Sequence, residues 1–223
     1  MIVYFFKNLF LCTKKKKMKK TFYFLAICAI ALGFTACSDD DDDKPTVEPT
    51  TGSMTIDTRA YDKWTYFSFA KGDTVPEPAD FKNDKTWDIA FHRWDVRTNG
   101  GESGVGEGAA FQTTYESLDV NTWSLSIAQS NFTKDEIIKT YMATPNMYAE
   151  SDEDQRSDVP ANTALGKWMT VTMSSIPPTY AIINNAFVVR TANGSYAAIR
   201  FTNYMNDKAE RGYVSFDYIY PIE

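Results

Sequence analysis

Alternating hydrophobic and polar residues dominate the chain after residue 52, and this period-two pattern is typical of β-strands. The predicted strands are Met54–Thr58, Lys63–Ala70, Thr86–Trp94, Ala186–Thr191, Ser195–Phe201 and Gly212–Tyr220. Asn193-Gly194 separates two of them, and this dipeptide is a strong signal for a tight hairpin turn. The predicted fold class is therefore all-β and mostly antiparallel, with one or two short helices.

Two segments carry helical signals. Thr133-Lys134-Asp135-Glu136 matches a capping box, and the apolar residues that follow, up to Met142, fall on one helical face. Asn162, Leu165 and Trp168 also have helical spacing. We therefore expect one helix over residues 133–142 and a second short helix that begins near Asn162.

Residues 1–36 are predicted to be a lipoprotein signal peptide. Lysine clusters precede an apolar run, Phe22–Phe34, that is too short for an ordinary membrane-spanning helix but suits a signal peptide. The run leads into Phe34-Thr35-Ala36-Cys37, which resembles a bacterial lipobox. Cys37 is the expected site of lipidation, and a plain signal peptide with a chance cysteine is the alternative.

An acidic segment follows the predicted lipidation site. Asp39–Asp43 and the Thr/Pro/Glu-rich residues up to Gly52 cannot bury apolar surface, so residues 37–52 are predicted to be a solvated tether. An acidic run in this place resembles the surface-export signal of Bacteroidetes lipoproteins, although a charged linker that carries no export signal has the same composition. We therefore expect a protein anchored to the outer membrane by lipid alone and exposed at the cell surface, with a folded domain over residues 53–223.

Charge and residue usage exclude several classes of function. Seven of the 23 basic residues and none of the 29 acidic residues lie in the first 36, so the remainder carries 16 minus 29, or −13. This charge argues against nucleic acid or an anionic lipid surface as a partner. Cys12 and Cys28 lie in the predicted signal peptide, and His92 is the single histidine, so thiol nucleophiles and multi-histidine metal sites are not expected.

The residues offer little support for catalysis. His92 lies within a predicted strand, where a hydrogen-bonded framework histidine is a more common role than a general base. Asp152, Glu153 and Asp154 lack the spacing of a calcium loop, and the glycine-rich stretch 100–108 lacks the spacing of a nucleotide-binding loop. No enzymatic activity is predicted.

Methionine and aromatic residues are concentrated between residues 141 and 173. The methionines are Met142, Met147, Met169 and Met173, with Tyr141, Tyr148 and Trp168 beside them. Methionine commonly fills cores, but Met142 and Met147 flank Pro145 in a predicted loop. A thioether is also a competent axial ligand of haem iron. Two facing methionines in an aromatic slot would suit a porphyrin.

The sequence resembles the HmuY-like haem-binding lipoproteins of Bacteroidetes. The resemblance lies in Trp87-Asp88-Ile89-Ala90-Phe91-His92-Arg93 and in Arg97-Thr98-Asn99-Gly100-Gly101. Further matches are Pro177-Pro178-Thr179-Tyr180, Phe187-Val188-Val189-Arg190 and Gly212–Tyr218.

This resemblance implies a haemophore-like β-domain that binds haem (iron protoporphyrin IX) at the cell surface. It would take haem from host haemoproteins and pass it to a TonB-dependent outer-membrane haem receptor. The bis-histidine ligation known in the family is not possible here, because no histidine follows His92. The related members that use methionine imply one ligand from Met142 or Met147 and one from Met169 or Met173, with Met142 and Met169 the preferred pair.

Two other functions remain open on the sequence. A glycan-binding or adhesive surface lipoprotein would use exposed aromatic rings, for which Trp64, Trp94 and Trp123 are candidates. An envelope hydrolase would need paired carboxylates, and no such pattern is evident.

Overall fold

The computed structural model describes residues 48–119, 131–172 and 178–222. Predicted features in the remaining segments, including Cys37, Trp123 and Met173, lie outside the described residues. The strands are β1 Thr50–Asp57, β2 Thr65–Ser68, β3 Asp73–Val75, β4 Ile89–His92, β5 Asp95–Thr98, β6 Ala109–Gln112, β7 Glu136–Tyr141, β8 Arg156–Ala161, β9 Met169–Thr172, β10 Thr179–Ile182, β11 Phe187–Arg190, β12 Tyr196–Met205 and β13 Arg211–Ile222. Short 3-10 turns span Gly101–Ser103, Glu153–Gln155 and Leu165–Trp168.

Two larger sheets form the body of the domain. One has five strands in the order β1-β13-β12-β11-β6, and the other has four in the order β3-β2-β4-β5. Two hairpins, β7-β8 and β9-β10, form separate two-stranded sheets. Every pairing among these strands is antiparallel, so the all-β prediction is confirmed.

The core is arranged in layers because strand residues alternate between the two faces of a sheet. The main core lies between the two larger sheets and includes Phe67 and Phe91 from one and Phe201 and Phe216 from the other. A second cluster covers the opposite face of the four-stranded sheet and contains Trp64, Tyr66, Trp87 and Ala90. A third covers the outer face of the five-stranded sheet with Val188, Ala198 and Ile219. The four-stranded sheet is therefore apolar on both faces.

The predicted helix over residues 133–142 is wrong, because this segment forms strand β7 and pairs with β8 from Glu136↔Ala161 to Tyr141↔Arg156. The carboxylate of Asp135 accepts hydrogen bonds from Thr98 and Ser103 instead of belonging to a helical first turn. The β-branched pair Ile137-Ile138 suits an extended chain. Tertiary hydrogen bonds and strand pairing thus override the local capping signal.

The predicted strands and the predicted hairpin turn agree with the structure. Each predicted strand overlaps an observed one, and Asn193-Gly194 lies between β11 and β12 with Gly194 at φ +88°. The predicted helix near Asn162 is a single 3-10 turn, Leu165–Trp168, with the Asn162 side chain accepting the Leu165 N–H at 3.0 Å. Strand β1 begins at Thr50, three residues before the predicted start of the domain. Among the described residues, no helix has the length and apolar character needed to cross a bilayer.

Candidate functional site

The run Trp87–Arg93, which carries part of the family resemblance, builds the framework around the site. Asp88 is buried, and its carboxylate accepts the N–H of Phe69 at 2.8 Å and that of Ala192 at 3.1 Å. It thereby joins the end of β2 to the chain that follows β11. Burial raises the pKa of Asp88 against the opposing effect of these hydrogen bonds.

The glycine-rich stretch has a structural reason in this fold. Asn99 is buried, and its side-chain amide donates to the carbonyls of Asp84 and Trp87. The chain of residues 104–108 wraps around Asn99 so closely that a Cβ on Gly106 would lie 2.4 Å from its carbonyl oxygen. The glycines therefore permit backbone-to-backbone packing.

His92 is also part of the framework. Its side chain is fully buried, its Nε2 lies 2.9 Å from the Tyr61 carbonyl oxygen, and its ring packs 5.2 Å from that of Trp64. Its Nδ1 lies 3.6 Å from a carboxylate oxygen of Asp95. These contacts hold the histidine inside the domain.

The first pair of candidate methionines follows strand β7. Met142 is half-buried and packs against the second cluster, which contains Trp64 and Trp87. Met147 is 92% exposed and Tyr148 is 95% exposed, both in the connection between β7 and β8. An apolar pair with this exposure is available to contact a ligand or partner.

The second pair belongs to the β9-β10 hairpin. Met169 is the first residue of β9, is 5% exposed and packs in the main core with Trp168. Met173 directly follows the last residue of β9, Thr172, and lies outside the described residues.

The preferred pair, Met142 and Met169, packs on opposite faces of the four-stranded sheet. Ala90 of β4 faces the cluster that Met142 covers, whereas the neighbouring Ile89 and Phe91 face the core that contains Met169. The structure therefore brings the two chain segments to the same sheet but leaves the two thioethers in separate apolar environments.

The β4-β5 turn, Arg93-Trp94, lies between these two segments. The Thr140 hydroxyl, two residues before Met142, donates to the Asp95 carboxylate at 2.6 Å. The Trp168 indole, one residue before Met169, donates to the Trp94 carbonyl at 2.8 Å. These two hydrogen bonds thus connect both methionine-bearing segments to residues at the β4-β5 turn.

The turn has unusual features that the sequence reading missed. Arg93 adopts φ +54°, a left-handed conformation that is uncommon for residues other than glycine. Among the described residues, no hydrogen-bond partner is found for three buried atoms near this turn, His92 Nδ1, Arg93 Nε and Tyr204 Oη. The sequence signal for this turn is a two-residue connection, Arg93-Trp94, between two strand-forming segments.

Asp135 anchors the base of the β7-β8 hairpin. Its buried carboxylate accepts hydrogen bonds from the Thr98 N–H and hydroxyl, the Ser103 hydroxyl and the Asn162 amide, at 2.6–2.9 Å. Burial raises its pKa to about 6, although the four hydrogen bonds favour the charged form. The group can therefore titrate between pH 5 and 7.

The alternative of sugar stacking loses one of its three aromatic candidates. Trp64 is 5% exposed and is packed beneath the Arg97 guanidinium at 3.7 Å, so its face is not available. Trp94 is half-buried. Two surface grooves, of about 510 and 700 Å³, lie along the five-stranded sheet, and none of the described candidate methionines lines either.

Comparison with known proteins places the fold and sequence in one family. The sequence model described as HmuY protein matches residues 60–218. A protein from Bacteroides fragilis, assigned as a lipoprotein, is 31% identical with a TM-score of 0.62, and the match covers 78% of this chain and 92% of that one.

Two further solved structures are similar. A Bacteroides vulgatus protein, assigned as an HmuY-like haem-binding protein, is 30% identical with a TM-score of 0.62, covering 78% of this chain and 93% of that one. The apo form of a Tannerella forsythia HmuY analogue is 27% identical with a TM-score of 0.60, covering 80% and 100%. No curated protein sequence matches the chain. Since the family model covers more than half of the chain, the protein belongs to the HmuY family.

Proposed function

We propose that this protein is a lipid-anchored outer-membrane lipoprotein, exposed at the cell surface, that binds haem and serves iron acquisition. It would accept haem from host haemoproteins and deliver it to a TonB-dependent outer-membrane receptor. Membership of the HmuY family carries this proposal, and the haem-binding assignment of the Bacteroides vulgatus relative supports it. Its role is binding, without catalysis.

Two methionines are proposed to hold the iron, one from each hairpin segment. Met142 and Met169 remain the preferred pair, with Met147 and Met173 as the alternatives. The hydrogen bonds from Thr140 and Trp168 to either side of the β4-β5 turn support a shared site there. Because Met142 and Met169 now pack on opposite faces of the sheet, their joint use requires both side chains to leave their present packing.

The chemistry of the donors favours ferrous haem. Thioether sulfur is a soft, neutral ligand and stabilises iron(II) relative to iron(III). We expect a saturable Soret change at one haem per chain, with tighter binding in dithionite than in air. Absorbance titration of the purified protein in both states measures this. Equal affinities, or tighter ferric binding, would exclude methionine as the dominant ligand.

Methionine-to-leucine variants test the ligands without opening a cavity, because leucine nearly conserves the volume and removes the sulfur. Met142→Leu and Met169→Leu are each expected to shift the Soret band and weaken ferrous haem binding. Met54→Leu is the matched control, since Met54 is half-buried on β1 and packs against the same main core as Met169.

The same assay assigns the alternatives. If Met147→Leu or Met173→Leu changes the spectrum while Met142→Leu or Met169→Leu does not, the ligand moves to the alternative residue of that segment. His92→Gln is expected to leave the Soret band in place, and loss of the spectrum in this variant alone would overturn methionine ligation.

A further inference from the structure

Five residues beside the β4-β5 turn form a connected group of cations and aromatic side chains. Trp94 packs 6.4 Å from Tyr204, and Tyr204 packs 5.4 Å from Tyr180, measured between ring centroids. The Arg211 guanidinium lies 4.8 Å from the Tyr180 ring, and the Arg93 guanidinium lies 6.0 Å from the Trp94 ring. The Arg93 guanidinium also lies 4.4 Å from the Tyr61 ring, and its Nη1 donates to the Arg59 carbonyl at 3.0 Å. We refer to Arg93, Trp94, Tyr180, Tyr204 and Arg211 as the arginine–aromatic cluster.

The two arginines lack acidic partners. Within the described residues, no carboxylate lies within 4 Å of either guanidinium, whereas the nearby Arg59 forms an ion pair with Asp57 at 2.7 Å. This is notable in a chain whose sequence after residue 36 carries a charge of −13. A guanidinium presents a fixed fork of donors that matches a carboxylate in two-point contact.

Tyr204 adds a buried hydrogen-bond donor to the arginine–aromatic cluster. Its side chain is 1% exposed, and its hydroxyl has no hydrogen-bond partner within the described part of the chain. Burial raises the pKa of this phenol above its usual value, so the hydroxyl keeps its proton. An unpaired buried hydroxyl next to a cation is suited to donate to an anionic oxygen.

The arginine–aromatic cluster borders the segment that carries Met169. Tyr180 lies on β10 and pairs with Val171 of β9, and the Trp94 carbonyl accepts the hydrogen bond from Trp168. We infer that the arginine–aromatic cluster binds the carboxylate edge of the porphyrin, with Arg93 and Arg211 as the cationic partners. This inference rests on the proposed function, because it assigns the part of the ligand that contacts the cluster.

The test compares porphyrins with and without free carboxylates. Haem and metal-free protoporphyrin IX are titrated against the purified protein beside their dimethyl esters, which keep the macrocycle and remove both charges. We expect wild type to bind each free acid about tenfold more tightly than its ester. Arg211→Gln should lose most of this preference, whereas Lys208→Gln, an equal change of charge in the β12-β13 connection three residues before Arg211, should retain it.

The outcomes separate this inference from the proposed function. Equal affinity of wild type for acid and ester, or an Arg211→Gln variant that weakens both equally, would overturn the carboxylate site while leaving methionine ligation intact. Acid-dependent binding of metal-free protoporphyrin IX, with no Soret change for haem, would support the carboxylate site at the arginine–aromatic cluster and overturn methionine ligation of the iron. Binding of no porphyrin by wild type would overturn both. Arg93→Lys gives a second variant that keeps the charge but loses the fork, and it should fall between wild type and Arg211→Gln.

Discussion

At the scale of single residues, buried polar side chains fix the positions of the chain segments. Asp88, Asn99 and Asp135 each accept or donate several hydrogen bonds to segments distant in sequence. Removing one partner from such a network leaves buried groups unpaired, which costs more than the bond itself contributes. Asp88 and Asn99 belong to the sequence blocks that carry the family resemblance, and their hydrogen bonds show that these blocks hold the fold together.

Asp135 should make stability depend on pH. Its pKa is raised to about 6 in the folded protein, from 3.8, so the folded state binds the proton more tightly than the unfolded state. Its contribution to the unfolding free energy therefore increases as pH falls from 7 towards 4, by roughly 2–3 kcal/mol in total. Urea denaturation between pH 7 and 5 measures this contribution as the difference between wild type and Asp135→Asn.

The control for this prediction is Asp84→Asn. Asp84 is half-buried, and hydrogen bonds from Thr86 lower its pKa, so its titration lies below this pH range. The free-energy difference between wild type and Asp84→Asn should be constant from pH 7 to 5. A constant difference for Asp135→Asn as well would show that Asp135 stays charged when folded.

At the scale of elements, the six predicted strands are present, whereas the β7-β8 hairpin was predicted as a helix. Hydrophobic alternation and the Asn193-Gly194 turn are local signals, and the corresponding strands are present. Residues 133–142 carry a local helix signal that is overridden by Asp135 bonding to Thr98 and Ser103, residues more than 30 positions away. Contacts of this kind cannot be read from a window of neighbouring residues.

The candidate methionines could be named from the sequence, and their role as ligands stays a prediction. The methionines stand out by composition, yet their placement on two faces of the four-stranded sheet depends on how both hairpins pack. The arginine–aromatic cluster is formed by side chains from the β4-β5 turn, β10, β12 and β13, and no single stretch of sequence contains it.

Thr140 is expected to fasten the β7-β8 hairpin to the body of the domain. Thr140→Val keeps the branched shape of this buried side chain and removes its hydrogen bond to Asp95, with a local cost of about 1–2 kcal/mol. Amide hydrogen exchange should accelerate in β7 and β8 while β12 and β13 stay protected. The exposed Thr170 of β9 gives the control, Thr170→Val, for which exchange should be unchanged. Equal acceleration across all strands would mean that the bond supports the whole domain.

At the scale of the whole molecule, the two larger sheets and the two hairpins are separate parts of the domain. The five-stranded and four-stranded sheets enclose the main core, and β7-β8 and β9-β10 form sheets of their own. Because neither hairpin pairs with a strand of the two larger sheets, we expect the hairpins to open before those sheets do. Hairpins that open before the rest of the domain would suit the capture and release of haem proposed above.

The separation of Met142 and Met169 by the four-stranded sheet has a consequence for the speed of haem capture. If both sulfurs must leave their apolar packing before the iron is held, a unimolecular rearrangement precedes or follows the first encounter. In stopped-flow mixing, the observed rate should then rise with haem concentration and level off at a ceiling, and Thr140→Val should raise that ceiling. A rate that increases linearly without limit would mean that the ligands are already in place. With a ceiling, the pace of haem uptake at high supply would be set by the protein's own motion.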